Sequence, residues 1–501
     1  MIRSFLAGLR PSYRRVRGAP DPLGSFETLY GHERHGFLYE SLSCTDRSGP
    51  RVSIDGSRLS GADLGHDGGR GRYSFLGGRP LLVLTGRDGR TVLEGRTVGR
   101  RTLAHEPLAL LAELLTSGVE ALPVASFPGG AVGYLAYDAA RRFMPLGLGP
   151  PDDLRLPDLH FLFPAEVVII DHLDEVTHIL AYGRRSRDAR CEEIGMILGR
   201  RREGEAGRAR LGAGSGASGV RSNLSLGGFA ARVERIRRHI REGDVYQVVL
   251  SRRFLLENVP PPLELYARLR QGNPSPYMYY LALDGCHLAG SSPETLVKLS
   301  GRRVTARPLA GTRPRGVSSS SDIEAARGLR ADPKERAEHV MLVDLARNDI
   351  GRVCEAGSVT VGRLLEIERY AKVMHLVSDV EGRLRDDRDG FDLTRACFPA
   401  GTVSGAPKIR AMQLIDELEP ARRGPYAGAI GYFSFLGDLD LCIAIRTVLL
   451  MRGRGYLQAG AGIVADSDGR REFEETASKA GGVLSALGAD SGTGRTAAGG
   501  G

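Results

Sequence analysis

The stretch Phe398–Phe435 reads FPAGTVSGAPKIRAMQLIDELEPARRGPYAGAIGYFSF. Its first part, GTVSGAPK, joins a glycine-rich loop to the start of a helical pattern carrying Lys408. Exposed backbone N–H groups and a helix dipole at such a junction form a site for an anionic group. A second Gly/Tyr-rich turn, GPYAGAIGYFSF, follows. Gly401–Lys408 lacks the G-K-[ST] ending of a nucleotide P-loop. Taken alone, GTVSGAPK would also suit a connector before a surface helix, but neighbouring blocks supply the rest of an active site.

Two of those blocks are acidic. In KERAEHVMLVDLARND, Glu335 and Glu338 lie three apart on a predicted helix, hence on one face. In REFEETASKAGG, Glu472 and Glu475 repeat the spacing, with Lys479 one turn further. One such pair is ordinarily a solvated face; two pairs beside a glycine-lined pocket need a cation to join them, and hard oxygen ligands suit Mg²⁺. In IAIRT, Arg446 offers a planar fork matched to a carboxylate. In QAGAGIVADSD, Gly460 and Gly462 flank Ala461 and let backbone N–H groups approach a ligand. His375, in YAKVMHLVSDV, has a strand-like apolar context, where a histidine is more often a satisfied core residue.

Composition narrows the class. A chain of 501 residues holds two or three domains and buries a large core without staples. The six cysteines form no C-x-x-C pair, which argues against a zinc site or disulfide framework and suits a reducing cytoplasm. Net charge is +9, yet only five of the 69 basic residues are lysines. The arginine excess lies near the N-terminus and over 184–210, with no basic stripe interleaved with aromatics, so nucleic-acid binding is not expected. No apolar run reaches the roughly 18 residues of a membrane span, and a cytoplasmic protein is expected.

Strand-like runs, such as Leu81–Gly86 and Glu166–His172, fill the first part of the chain. Residues 1–183 are read as an N-terminal domain, 184–225 as a linker, 226–488 as a second domain and 489–501 as a disordered tail; Cys44–Gly71 reads as an insertion. Phe229, Val233, Ile236 and Ile240 recur at helical spacing before a stop at Gly243, and VYQVVLSRRFLL reads as a buried strand.

From FLYES near the start to EFEETASKA near the end, these blocks resemble the chorismate-utilising enzymes, and among them the large subunits of anthranilate synthases. The resemblance implies an α+β fold layered as a four-layer α/β/β/α sandwich, with Glu338 and Glu475 as direct Mg²⁺ ligands and Glu335 and Glu472 as outer partners. It assigns Arg446, Gly311, Thr312, Tyr426, Gly460, Ala461, Gly462 and Lys479 to chorismate, with Thr402 orienting an oxygen. Glu294, in GSSPETLVKL, matches the family's general acid for the departing 4-hydroxyl, and His375 its active-site histidine. Isochorismate and salicylate synthases carry a water-activating lysine where this chain has Gln247, which cannot take a proton. Aminodeoxychorismate synthases often carry a nucleophilic lysine where this chain has Ala310. Both absences imply ammonia as the nucleophile, and anthranilate and pyruvate as products, at the entry to tryptophan biosynthesis.

None of the cysteines sits in a G-x-C-x-G elbow, so a separate glutamine amidotransferase subunit, in a heterotetramer, is expected to supply ammonia. The family's tryptophan feedback site uses an L-L-E-S and an N-P-S-P-Y-M segment. Here these read LYES, with Glu40 and Ser41, and NPSPYM, with Asn273, Pro276, Tyr277 and Met278; by turn chemistry alone NPSPYM is also a rigid turn before a strand. Two rivals stand beside this reading. One is a 2-amino-2-deoxyisochorismate synthase that retains the enolpyruvyl group; the other is a non-catalytic chorismate- or tryptophan-binding regulator.

Overall fold

The Leu159–Asp171 strand, LHFLFPAEVVIID, is buried at nearly every position, so both of its faces are covered. In the computed structural model, which describes residues 5–41, 71–95, 98–200, 217–370 and 373–489, the two faces meet different neighbours. Val167 and Ile169 join an apolar cluster that contains no α-helical residue, together with Phe37, Phe127, Tyr279, Leu281 and Tyr432. Val168 and Ile170 join a second cluster with Phe26, Ile194, Leu265 and Val483, which come from helices. The two-residue period of a strand sorts side chains this way. It recurs in His35–Glu40, where Phe37 faces inward and Leu38 outward.

A third cluster packs the helices Pro107–Leu115, Leu226–Arg241, Gly390–Cys397 and Lys408–Leu418 against the remaining outer strand faces. Strand faces thus meet in the middle and helices cover both outsides, which is the expected α/β/β/α layering. Each fully buried Phe or Tyr in these layers contributes on the order of 1.5–3 kcal/mol through removal from water.

The expected division at residues 183 and 226 does not separate two sheets. His35–Glu40 pairs antiparallel with both Tyr73–Arg87 and Tyr277–Leu283, and Gly130–Leu135 pairs with Ala429–Ser434. Early and late parts of the chain therefore share one hydrogen-bonded sheet, and parting them would leave the backbone N–H and C=O groups of the paired edges without partners. The expected linker also holds a helix, Asp188–Arg200, which buries Cys191, Ile194 and Leu198. Residues 42–70, most of the expected insertion, and 490–501, most of the expected tail, lie outside the described residues. Among the described residues no helix is long and apolar enough to cross a membrane.

Three features position the site. The Gln247–Leu256 strand pairs with Arg454–Ile463, setting Val249 opposite Gly462 and Ser251 opposite Gly460, and at its start with Gly405–Ala406. Gly405 has φ +137°, and a Cβ there would meet the Gln247 carbonyl at 2.2 Å. Two helices then flank these strands. Pro333–Gly351 starts at Asp332, whose side chain accepts from the Lys334 and Glu335 N–H groups; Gly469–Ala486 starts at Asp468, which accepts from Arg470 and Arg471. Finally a separate three-stranded sheet, Leu309–Pro314, Val373–Val377 and Glu366–Arg369, carries His375.

Candidate active site

Glu294 sits between the Cys286–Ser292 and Thr295–Ser300 strands, 6% exposed. Burial pushes its carboxyl up to about 8; the Thr402 hydroxyl and the charges of Arg446 and Lys479 offset part of that rise. The carboxyl is therefore mostly protonated at neutral pH, as a proton donor must be. Thr402 Oγ1 is buried beside it without a well-formed hydrogen bond. Glu294, Thr402, Gly401 and Ala400 line a cavity of about 50 Å³.

His375 approaches from the small sheet. It lies opposite Thr312 in the ladder, next to an irregularity at Gly311, whose φ is +64°. The Nδ1 atom is 3.0 Å from the Gly311 carbonyl and 2.9 Å from Thr312 Oγ1. A carbonyl only accepts, so the proton resides on Nδ1 and the Nε2 lone pair is left available. Nε2 is buried without a partner. Burial, reinforced by the charge of Arg446, pulls the imidazole down to about 4, so the ring is a neutral base at working pH. Arg446 itself adopts φ +51° and lines a small cavity of about 30 Å³ with His375.

The acidic pairs occupy the two flanking helices as expected. Glu335 is raised by burial and then by Glu338; Glu472 is raised by burial, with Glu475 adding to it. Glu472 lies within the field of Lys334, which brings the helices near one another at this end. Gln247 Nε2 donates to Glu338 Oε1 at 3.4 Å, and a Cβ at Gly462 would meet that same nitrogen at 2.5 Å. Lys479 bridges Glu475 at 2.7 Å and the Gly460 carbonyl at 3.1 Å. Tyr426, whose phenol is raised by burial, reaches the same glycine strand, its OH 2.9 Å from where a Gly460 Cβ would stand. Ala461, between the two glycines, is fully buried and faces the core.

Do these carboxylates fit a hard cation? Glu472 Oε2 is buried without a well-formed hydrogen bond, and the donor set is all oxygen, which suits Mg²⁺. Among the described residues, however, the group of three potential ligands within 4.8 Å of one another is His239, Glu242 and Asp244, on a different face.

Lys408 begins the Lys408–Leu418 helix. Instead of waiting at a helix N-terminus for an anion, its Nζ pairs with Asp349 at 2.7 Å, both side chains 8% exposed. The glycine loop is thereby pinned to the Pro333–Gly351 helix. Ala310 lies in its strand opposite Leu376.

The LYES and NPSPYM segments, more than 200 residues apart in sequence, run into adjacent strands: Met278 lies opposite Glu40. Glu40 accepts from Tyr266 at 2.6 Å and Arg270 at 2.8 Å, while Ser41 Oγ accepts from the Gly71 N–H at 2.9 Å. Tyr277 OH donates to Asp440 at 2.9 Å, and Pro276 sits in the turn leading into its strand. Asn273 does more than expected. It lines the His375–Arg446 cavity with Pro274 and Ser275, and its Nδ2 donates to Ser291 Oγ at 2.7 Å. Ser291 N–H in turn donates to the Arg446 carbonyl at 3.2 Å. Sequence reasoning missed Tyr370, whose ring meets His375 edge-on at 5.4 Å and whose OH donates to Glu368. Local periodicity holds no signal for such a contact across strands.

The fold agrees with the comparisons to known proteins. A family model described as chorismate binding enzyme matches residues 75–485. Anthranilate synthase component 1 of Acetivibrio thermocellus is 44% identical over 83% of this chain and 87% of that protein. The Streptomyces coelicolor protein of the same name is 43% identical over 93% of this chain and 86% of its own length. The crystal structure of anthranilate synthase component I from Streptococcus pneumoniae superposes with a TM-score of 0.74 at 37% identity, covering 86% of this chain and 97% of that one. The chain belongs to the chorismate-binding enzyme family, in the company of the anthranilate synthase component 1 proteins.

Proposed function

We propose that this chain is the large subunit of an anthranilate synthase, converting chorismate and ammonia to anthranilate, pyruvate and water. The observation that carries this reading is that a buried carboxyl, Glu294, and a buried imidazole with a partnerless Nε2, His375, both lie in the field of Arg446, with burial favouring the protonated acid and the neutral base. Two groups whose environments hold them in opposite protonation states divide the acid and base work of a two-stage reaction.

Arg446 and Lys479 would hold the substrate's carboxylates, with the backbone of Gly460–Gly462 alongside. Glu294 gives its proton to the 4-hydroxyl as water departs, while ammonia bonds to C2. Nε2 of His375 then takes the proton from C2, the ring aromatises, and the C–O bond to the enolpyruvyl group breaks to release pyruvate. Gln247 stands where a proton-accepting side chain would activate water, and an amide cannot do so. Glu338 and Glu475, with Glu335 and Glu472 behind them, would hold Mg²⁺, which supplies charge neutralisation for a bound carboxylate.

The partner is a glutamine-hydrolysing subunit that delivers ammonia in a heterotetramer of the cytoplasm, in keeping with the "component 1" names of the relatives. Tryptophan would bind between the LYES and NPSPYM strands and act as feedback inhibitor. The direct test supplies the purified chain with chorismate, Mg²⁺ and excess ammonium at mildly alkaline pH. Anthranilate fluorescence with equimolar pyruvate supports the reading; absence of turnover in a folded chain refutes it.

A further inference from the structure

Arg252 is 4% exposed, and every group its guanidinium touches is neutral. Its Nε donates to Thr476 Oγ1 at 2.7 Å, one terminal nitrogen to the Phe473 carbonyl at 3.0 Å, and the other to Ser222 Oγ at 3.3 Å. Its Cζ lies 3.5 Å from the ring centre of Phe473 and 4.6 Å from that of Phe254. Among the described residues no carboxylate pairs with it. A buried guanidinium without a counter-charge is costly, and burial pulls its pKa down to about 10, which still leaves it charged at neutral pH.

Two of its three hydrogen bonds fall within a single turn of the Gly469–Ala486 helix. At 3.6 residues per turn, Glu472, Glu475, Thr476 and Lys479 share one face, and Phe473 borders it. A rigid planar fork that grips a backbone carbonyl and a hydroxyl three residues apart fixes both the rotation and the slide of that turn. A lysine or an apolar side chain would fix neither. The strand beneath is equally constrained, because Arg252 sits opposite Ala459 in the ladder.

We propose that Arg252 is a positioning residue for the metal carboxylates, holding the Glu472–Glu475 turn at the rotation that brings it beside Glu335 and Glu338. The inference rests on the Mg²⁺ reading of those four glutamates. It differs from a packing role because it ties the guanidinium to metal affinity instead of to stability alone.

The test titrates Mg²⁺ into the purified chain by calorimetry without chorismate, with Mn²⁺ electron paramagnetic resonance as a second probe. Arg252→Met is expected to weaken Mg²⁺ binding by about tenfold or more, as loss of a group that orients metal ligands does. Thr476→Val removes one acceptor at constant shape and is expected to shift affinity the same way, while Arg252→Lys, which keeps the charge but loses the planar fork, is expected to weaken binding as Arg252→Met does. Circular dichroism confirms that each variant is folded, and Thr476→Val carries the test if Arg252→Met is not. A folded Arg252→Met or Thr476→Val chain with wild-type Mg²⁺ affinity overturns the inference. Loss of binding in Glu475→Gln alongside such a result leaves the metal reading standing, whereas a wild-type chain that binds no Mg²⁺ overturns both.

Discussion

His375 donates its Nδ1–H to the carbonyl of Gly311, 3.0 Å away, and so presents a bare, partnerless Nε2 inside the site. The bulge at Gly311 makes this possible, since its positive φ turns the carbonyl towards the facing strand. His375→Met keeps the apolar volume and removes the base. Anthranilate formation should fall by about 10²-fold or more, the usual worth of a positioned base. Mass spectrometry should then find an aminated intermediate that retains the enolpyruvyl group; anthranilate at the wild-type rate would remove His375 from the proton transfer.

Glu294 makes a prediction about pH. Its folded-state value is raised to about 8 from an ordinary 4.5. Between those values the native state holds a proton that the unfolded chain has lost. The stabilisation is complete below about pH 4.5 and is lost as pH rises through 8. Glu294→Gln removes the effect, so its stability relative to wild type should grow by up to about 1.4 kcal/mol per pH unit over that window. Urea unfolding at pH 5, 6.5 and 8 measures this. A difference that stays flat with pH would show that the carboxyl is not held protonated, and catalysis should be lost at every pH.

The Lys408–Asp349 pair is structural. Lys408→Met leaves the buried Asp349 with only the more distant Arg352, 3.9 Å away, at a cost of up to about 3–5 kcal/mol. Adding Asp349→Leu should recover most of it. A single variant as stable as wild type would show that the pair is solvated in solution and that the lysine is free to meet an anion.

Regulation should respond to Asn273. Its amide touches Ser291, whose backbone touches Arg446, while its own loop lines the His375 cavity. Asn273→Ala should weaken tryptophan inhibition and also change KM for chorismate. Ser41→Ala, whose contact is with Gly71, should weaken inhibition alone. Equal shifts in KM from both variants would contradict this division.

Local patterns in the chain were legible and the contacts between them were not. The i,i+3 spacing of Glu335 and Glu338, and of Glu472 and Glu475, places each pair on one helix face, because helical geometry is local. Strand runs such as Leu81–Gly86 were readable for the same reason. The helix Asp188–Arg200 was read as linker because its apolar face is sparse, only Cys191, Ile194 and Leu198 being buried among charged neighbours. The Lys408 ion pair is invisible in the sequence because its partner, Asp349, lies 59 positions earlier on another helix. Arg252 and Tyr370 gave no signal at all, since what distinguishes them is a neighbour supplied by tertiary folding.

The central claim is that ammonia, not water, attacks chorismate, and that pyruvate then leaves. Purified chain, chorismate and Mg²⁺ are incubated with ¹⁵N-ammonium in H₂¹⁸O, and the products are read by mass spectrometry. Anthranilate carrying ¹⁵N and no ¹⁸O on its ring is expected, with one pyruvate for each. A product hydroxylated with ¹⁸O, or an aminated product that keeps its enolpyruvyl group as the end point, would contradict it.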